Sequence, residues 1–142
     1  MRPADRDAAI ALLAAQLAEH EIALPPARLA TAVDGVLDDA SRGELLLGVV
    51  DGHPVGVAYL SYTWTLEHGG RVGWLEELYV HPASRERGVG TALLEAVCTR
   101  AAAAGCIAVE LEVEASHARA ARLYERRGFR RLARTRFSRP LR

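Results

Sequence analysis

The residues with the clearest capacity for chemistry form one run, Arg85-Glu86-Arg87-Gly88-Val89-Gly90-Thr91. Gly88 and Gly90 remove side chains where a diphosphate must approach the backbone. A helical pattern begins at the end of this run. Amides of the loop and of the first helical turn would therefore point at a bound anion, aided by the helix dipole. Arg85 and Arg87 can add charge-assisted hydrogen bonds. A dinucleotide fingerprint is a weak rival, because it requires glycine or alanine where Leu93 stands. A Walker loop requires lysine, and all 18 Lys+Arg residues of this chain are arginine. On the glycines alone, a tight turn that binds nothing is an equal alternative. Cys98 and Cys106 form no CxxC pair and have no histidine at metal-ligand spacing, so no metal is expected.

The elements that must position this loop can be read from periodicity. Asp5 is expected to cap a helix running to about His20, with Ile10, Leu13 and Leu17 on one face. Pro25-Pro26 opens a second helix carrying Leu29, Val33, Val36 and Leu37. Glu44–Val50 and Val55–Tyr62 read as strands, and the Asp51-Gly52 pair between them signals a hairpin. A polar stretch over residues 65–71 precedes a strand, Val72–His81, which Pro82 ends. Gly88–Ala104 reads as a helix stopped by Gly105, and Ile107–Val113 as a strand. Ser116 is expected to cap a short helix to about Arg127, and Phe129–Phe137 reads as a final strand. A strand, helix and parallel strand in succession imply an α/β arrangement around a mixed sheet. Such folds bind ligands where strand ends meet a helix N-terminus. No linker or repeat appears, so residues 1–142 are expected to be a single domain.

Taken in order and spacing, several segments resemble the GNAT N-acetyltransferase superfamily. The loop matches its acetyl-coenzyme A signature, Arg/Gln-x-x-Gly-x-Gly/Ala between strand and helix. The resemblance extends to Leu75-Glu76-Glu77-Leu78-Tyr79-Val80-His81-Pro82 before the loop. It extends also to Ala120-Ala121-Arg122-Leu123-Tyr124-Glu125-Arg126-Arg127-Gly128-Phe129 after it, and so covers nearly the whole chain. It implies a GNAT fold: a mixed, mostly antiparallel sheet of about six to seven strands with about four helices, its fourth and fifth strands splayed by a bulge. It implies that main-chain groups of Leu78, Tyr79 and Val80 pair with the pantetheine amides of acetyl-coenzyme A. An amide of Tyr79 or Val80 would hold the thioester oxygen as charge develops on it. Arg85, Glu86, Arg87, Gly88, Val89, Gly90 and Thr91 match the pyrophosphate-binding positions. His117 stands where the family often has an asparagine that hydrogen-bonds the cofactor.

The chemistry implied is direct acetyl transfer to a primary amine of a small molecule. Tyr124 matches the general acid that protonates the departing thiolate. Glu76 and Glu77 are the candidates to take a proton from the amine. They resemble paired acids of spermidine/spermine N-acetyltransferases, the nearest motif pattern, and of glucosamine-6-phosphate N-acetyltransferases. Strand alternation is expected to send the two carboxylates to opposite faces, Glu76 with Trp74, Leu78 and Val80, and Glu77 with Leu75 and Tyr79. The match to the polyamine enzymes favours Glu76 as the general base. The resemblance places the acceptor among Glu19, His20, Glu21, Trp64 to His68, Trp74, Glu110 and Glu112, where acidic and aromatic groups suit a cation. Alternatives are a non-catalytic acetyl-coenzyme A sensor and an acetyltransferase for protein N-termini or lysines.

Composition narrows the partners. Formal net charge is +0, so no global field draws the chain to nucleic acid, and the arginine-rich C-terminal part is expected to be a solvated face. No apolar run reaches the roughly 18 residues of a membrane span, and no signal-type segment is recognised. A cytoplasmic bacterial enzyme is therefore expected. Pairing into a homodimer through Phe129–Phe137 would fit the pattern without being required by it.

Overall fold

The computed structural model describes residues 2–142, which form two compact units, one ending at Glu112 and the other beginning at Val113. The first unit carries a four-stranded sheet in the order β1-β2-β3-β4. Its strands are β1 (Gly43–Val50), β2 (His53–Thr65), β3 (Gly70–Val80) and β4 (Ala108–Leu111). β1, β2 and β3 run antiparallel, and β4 joins β3 in parallel. Its helices are α1 (Pro3–Glu19), α2 (Pro26–Asp38) and α3 (Val89–Ala103), the last being the crossover from β3 to β4. The second unit holds α4 (Ala118–Arg126).

The expected mixed, mostly antiparallel α/β architecture is present, with four strands rather than six or seven. Phe129–Phe137 is not a strand, and residues 129–142 contain neither helix nor strand. A β run persists only where another strand satisfies its backbone groups, and the second unit contains no strand to do so. Leu132, Phe137 and Leu141 are consequently exposed.

Local signals explain most element ends. Asp51 and Gly52 both have positive φ, 49° and 79°. That is the backbone of a two-residue type I′ hairpin turn, which matches the right-handed strand twist. Pro3 starts α1, where its missing N–H costs nothing. Asp5 therefore sits inside the first turn instead of capping it, and accepts the Arg2 backbone N–H at 3.2 Å. Likewise His117, not Ser116, precedes α4 as its capping position.

Core layers cover both faces of the sheet. Ala9, Leu12 and Leu13 of α1 and Leu29 and Val33 of α2 pack with Val57 and Tyr79. Arg6 ties the two helices by donating to both oxygens of Asp34, at 2.6 and 2.8 Å. On the opposite face, Leu93, Leu94, Val97 and Ala101 of α3 are buried. Glycines permit that close approach: a Cβ on Gly73 would meet Leu60 Cδ1 at 2.9 Å and Ala101 Cβ at 3.2 Å. Cys98 and Cys106 are free, partly buried thiols. Among the described residues, no helix is long and apolar enough to cross a membrane.

Candidate active site

The site grows from one irregularity in β3. Tyr59 of β2 opposes Glu77, while the next residue, Leu60, opposes Leu75. Glu76 is therefore an extra residue on β3, a bulge that interrupts the alternation of side chains. Its consequence corrects the expectation of opposite faces. Glu76 and Glu77 line the same cavity, together with Gln16 of α1 and Tyr59 of β2.

The same point ends the pairing of β3 with β4. The parallel ladder runs from Val72–Ala108 to Leu75–Leu111. From Glu76 to Val80, β3 has no strand partner on that side among the described residues, which is the splay expected of this strand pair. Leu78, Tyr79 and Val80 lie along this open stretch, where an extended amide chain could pair with the main chain as an added strand.

The two carboxylates differ in environment. Glu76 is exposed, and Ser61 Oγ donates to its Oε1 at 3.1 Å. Glu77 is half-buried. Burial and then the neighbouring Glu76 charge push its carboxyl above the ordinary range, offset in part by the Gln16 amide and by His20. A carboxylate poised in this way is a better proton acceptor than a solvated one.

Beyond Val80 the chain enters a short 3-10 turn, Pro82–Ser84, anchored by His81 N–H donating to Val55 O at 2.8 Å. Glu86 and Gly88 then take left-handed backbone conformations, φ 66° and 80°. Nothing lies within 4 Å of a Cβ built on Gly88, so its glycine answers to φ and not to space. The first backbone bond of α3 runs from Ala92 N–H to Gly88 O. The N–H groups of Val89, Gly90 and Thr91 therefore face outward at a positive helix end. This donor set fits the diphosphate of acetyl-coenzyme A.

Arg85 is placed differently from expectation. Its Nε donates to Val80 O at 2.8 Å, and Nη2 donates to both Glu19 oxygens at 2.9 and 2.8 Å. Its guanidinium carbon lies 5.5 Å from the Tyr79 ring centre. Arg85 thus acts as a strut from α1 to the end of β3. The partnership also holds Glu19 below the usual carboxylate range. Arg87 is exposed beside the glycines.

The second unit carries the other expected residues. Tyr124 packs edge-on against Phe129, ring centres 5.9 Å apart, and burial pushes its phenol pKa up. It therefore holds its proton at neutral pH. His117 is exposed at the start of α4, its Nε2 4.0 Å from Glu114 Oε2.

The acceptor surface expected from acidic and aromatic residues is dispersed. Glu19 is engaged with Arg85, and His68 pairs with Glu110 at 2.8 Å. Trp64 is exposed. None of these residues lines the cavity beside Glu76 and Glu77. The walls are instead Leu13, Leu17, Leu29, Val33, Val36 and Leu45, with Leu24 and Ala32. The helical periodicity of α1 and α2 did mark most of these positions, but as core and not as site.

Comparison with known proteins bears on the family and the fold. A mycothiol acetyltransferase of Amycolatopsis mediterranei (strain U-32) is 42% identical over 78 residues, 55% of this chain and 24% of that protein. The chain thus spans about a quarter of that relative's length. Among solved structures, an integron cassette protein from the mobile metagenome of Cole Harbour Salt Marsh superposes with a TM-score of 0.86. It is 25% identical, over 97% of this chain and 86% of that one. The aminoglycoside N-acetyltransferase AAC(6')-Iy in complex with CoA gives a TM-score of 0.84 at 20% identity, over 99% and 91%. The latter likeness speaks for the fold. Residues 10–129 match the model of the Acetyltransferase (GNAT) family, and the chain belongs to that family.

Proposed function

We propose that this chain transfers the acetyl group of acetyl-coenzyme A to the primary amine of a small molecule, at the wall formed by Glu76 and Glu77. The observation that carries the reading is the coincidence at Glu76 of the bulge, the end of β3–β4 pairing and the shared cavity. Both the mycothiol acetyltransferase and the aminoglycoside N-acetyltransferase are named for small molecules.

Bound acetyl-coenzyme A supplies an activated acyl group with a thiolate leaving group. The chain's own residues do the rest. Val89, Gly90 and Thr91 amides hold the phosphates, and the open edge of Leu78, Tyr79 and Val80 orients the extended arm. A main-chain N–H on that edge stabilises the carbonyl oxygen as charge develops. Sequence matching favoured Glu76 as base; the half-buried position and raised pKa of Glu77 support giving it that role, with Glu76 as the like charge that tunes it. Glu77 takes a proton from the ammonium. The freed nitrogen lone pair forms the N–C bond with the thioester carbonyl carbon, the C–S bond breaks onto sulfur, and Tyr124 gives its phenolic proton to the departing sulfur. The tetrahedral nitrogen's second proton passes through solvent to the Tyr124 phenolate, replacing the proton given to sulfur, and Glu77 releases the first proton to solvent.

Thiol release measured against a panel of small amines tests this reading. Turnover of several primary amines is expected, together with about 2.7 kcal/mol of stabilisation at a hundredfold excess of coenzyme A over its dissociation constant. A protein that acetylates only N-termini or lysyl peptides overturns the choice of acceptor. One that binds coenzyme A but turns over no amine is the sensor instead.

A further inference from the structure

Resting on that acetyltransferase reading, we propose that the acceptor is a primary amine with an apolar body of about phenylethyl size, rather than a polyamine or amino sugar. The cavity that Glu76 and Glu77 share has a volume of about 230 Å³. Its polar lining residues are Gln16, Tyr59, Glu76 and Glu77, and aliphatic side chains of α1, α2, the segment joining them and β1 form the remainder. An apolar cavity of about 150 Å³ is enough for a benzene ring in an engineered core. The larger volume here takes such a ring with a short tether to nitrogen. A hydroxyl-rich or polycationic chain in the same place would lose its hydration to leucine and valine walls that return no hydrogen bonds.

Gln16 supplies the second observation. It is 9% exposed, lines this cavity, and its Oε1 is buried with no hydrogen-bond partner among the described residues. A buried amide oxygen left unpaired costs free energy. An amine N–H seated beside Glu77 would satisfy it once the Gln16 side chain turns its oxygen toward the cavity. The carboxylates of Glu76 and Glu77 make this end rich in acceptors, which suits an ammonium group carrying several donors. The remaining wall then selects what the nitrogen is attached to.

The experiment compares kcat/KM for 2-phenylethylamine, spermidine and glucosamine at saturating acetyl-coenzyme A, with thermal shift by each amine and by coenzyme A as separate readouts. 2-Phenylethylamine is expected to exceed both polar amines at least tenfold in kcat/KM and to raise Tm without acetyl-coenzyme A present. The variant Ala32→Trp, at a wall position that is exposed on α2, fills the cavity from its solvent side. It should raise KM for 2-phenylethylamine tenfold or more while the coenzyme A shift stays as in the parent. Equal or better use of spermidine or glucosamine overturns the proposal, as does an Ala32→Trp enzyme with unchanged KM. Absence of any coenzyme A shift in the parent protein sinks the acetyltransferase reading itself, which distinguishes the two failures.

Discussion

The two ends of the candidate site are built in opposite ways. In the proposed reading the loop end, around Gly88 and Gly90, works through backbone amides, and its Arg85 serves as a strut. The proposed carboxylate end, around Glu76 and Glu77, would work through side chains whose direction depends on a single inserted residue in β3. A backbone site survives changes of side chain but fails when φ is wrong. A side-chain site tolerates strain elsewhere but fails when a proton acceptor is lost. Substitutions at the two ends should therefore separate cleanly in kinetics.

The largest effect is expected from Glu77→Gln, which removes the proposed base. kcat/KM for the amine should fall by roughly 10² to 10⁴, with coenzyme A affinity unchanged by calorimetry. The same substitution sharpens the comparison through stability. The raised carboxyl of Glu77 means that folding favours its neutral form. Its stability contribution is thus fully present below the ordinary value of 4.5 and lost as pH rises through the raised one. At neutral pH, Glu77→Gln should therefore melt higher than the parent, and below pH 4.5 the two should converge. An active-site carboxylate that costs stability is the signature expected here, and a Tm lower in the variant at pH 7 would break it.

Tyr124→Phe comes next, with a loss of roughly 10² in kcat at saturating substrates and little change in coenzyme A binding. Full activity in that variant would remove the phenol from the mechanism. Gly88→Val belongs to the other end. A β-branched residue at φ 80° adds strain on the order of 1–2 kcal/mol. Coenzyme A should bind about tenfold or more weakly by titration, for each tenfold is about 1.4 kcal/mol, while kcat at saturation changes little.

How much of this was legible differs between the same two regions. Gly88 and the Asp51-Gly52 turn are dictated locally, by residues that readily accept the positive φ found there, and both turns could be read directly. The resemblance implied a bulge in β3, but its place at Glu76 could not be read. It depends on how Tyr59 and Leu60 pair across from β3, and strict alternation sent the carboxylates to opposite faces. The cavity wall was equally hidden, because Leu29 and Val33 in a helix carry the same periodicity whether they face a core or a ligand. Phe129–Phe137 shows the converse error. Its composition suits a strand, but strand formation needs a partner that local sequence does not specify. Arg85 matched a phosphate-binding position by motif, yet its geometry is set by Glu19, far away in sequence.

The smallest expected effect comes from that strut. Both partners are more than a third exposed, at 39% and 44%, so breaking the pair with Arg85→Ala should cost only about 0.5 kcal/mol, and less in high salt. Glu19 is held below its usual range by Arg85. Its contribution is present above the ordinary value and lost as pH falls through the lowered one, opposite in sign to Glu77. Chemical denaturation of the parent and Arg85→Ala at two salt concentrations measures this difference.

The central claim is that the bulge brings both carboxylates to one cavity, where Glu76 tunes Glu77 as the base. The pH dependence of kcat/KM for the parent, Glu76→Gln and Glu77→Gln tests it most directly. The parent should show an acidic limb above the ordinary glutamate range. Glu77→Gln should abolish that limb, and Glu76→Gln should retain it but move it to lower pH, because removing the like charge eases ionisation of Glu77. A limb that survives unchanged in Glu77→Gln, or that vanishes only in Glu76→Gln, would contradict the account.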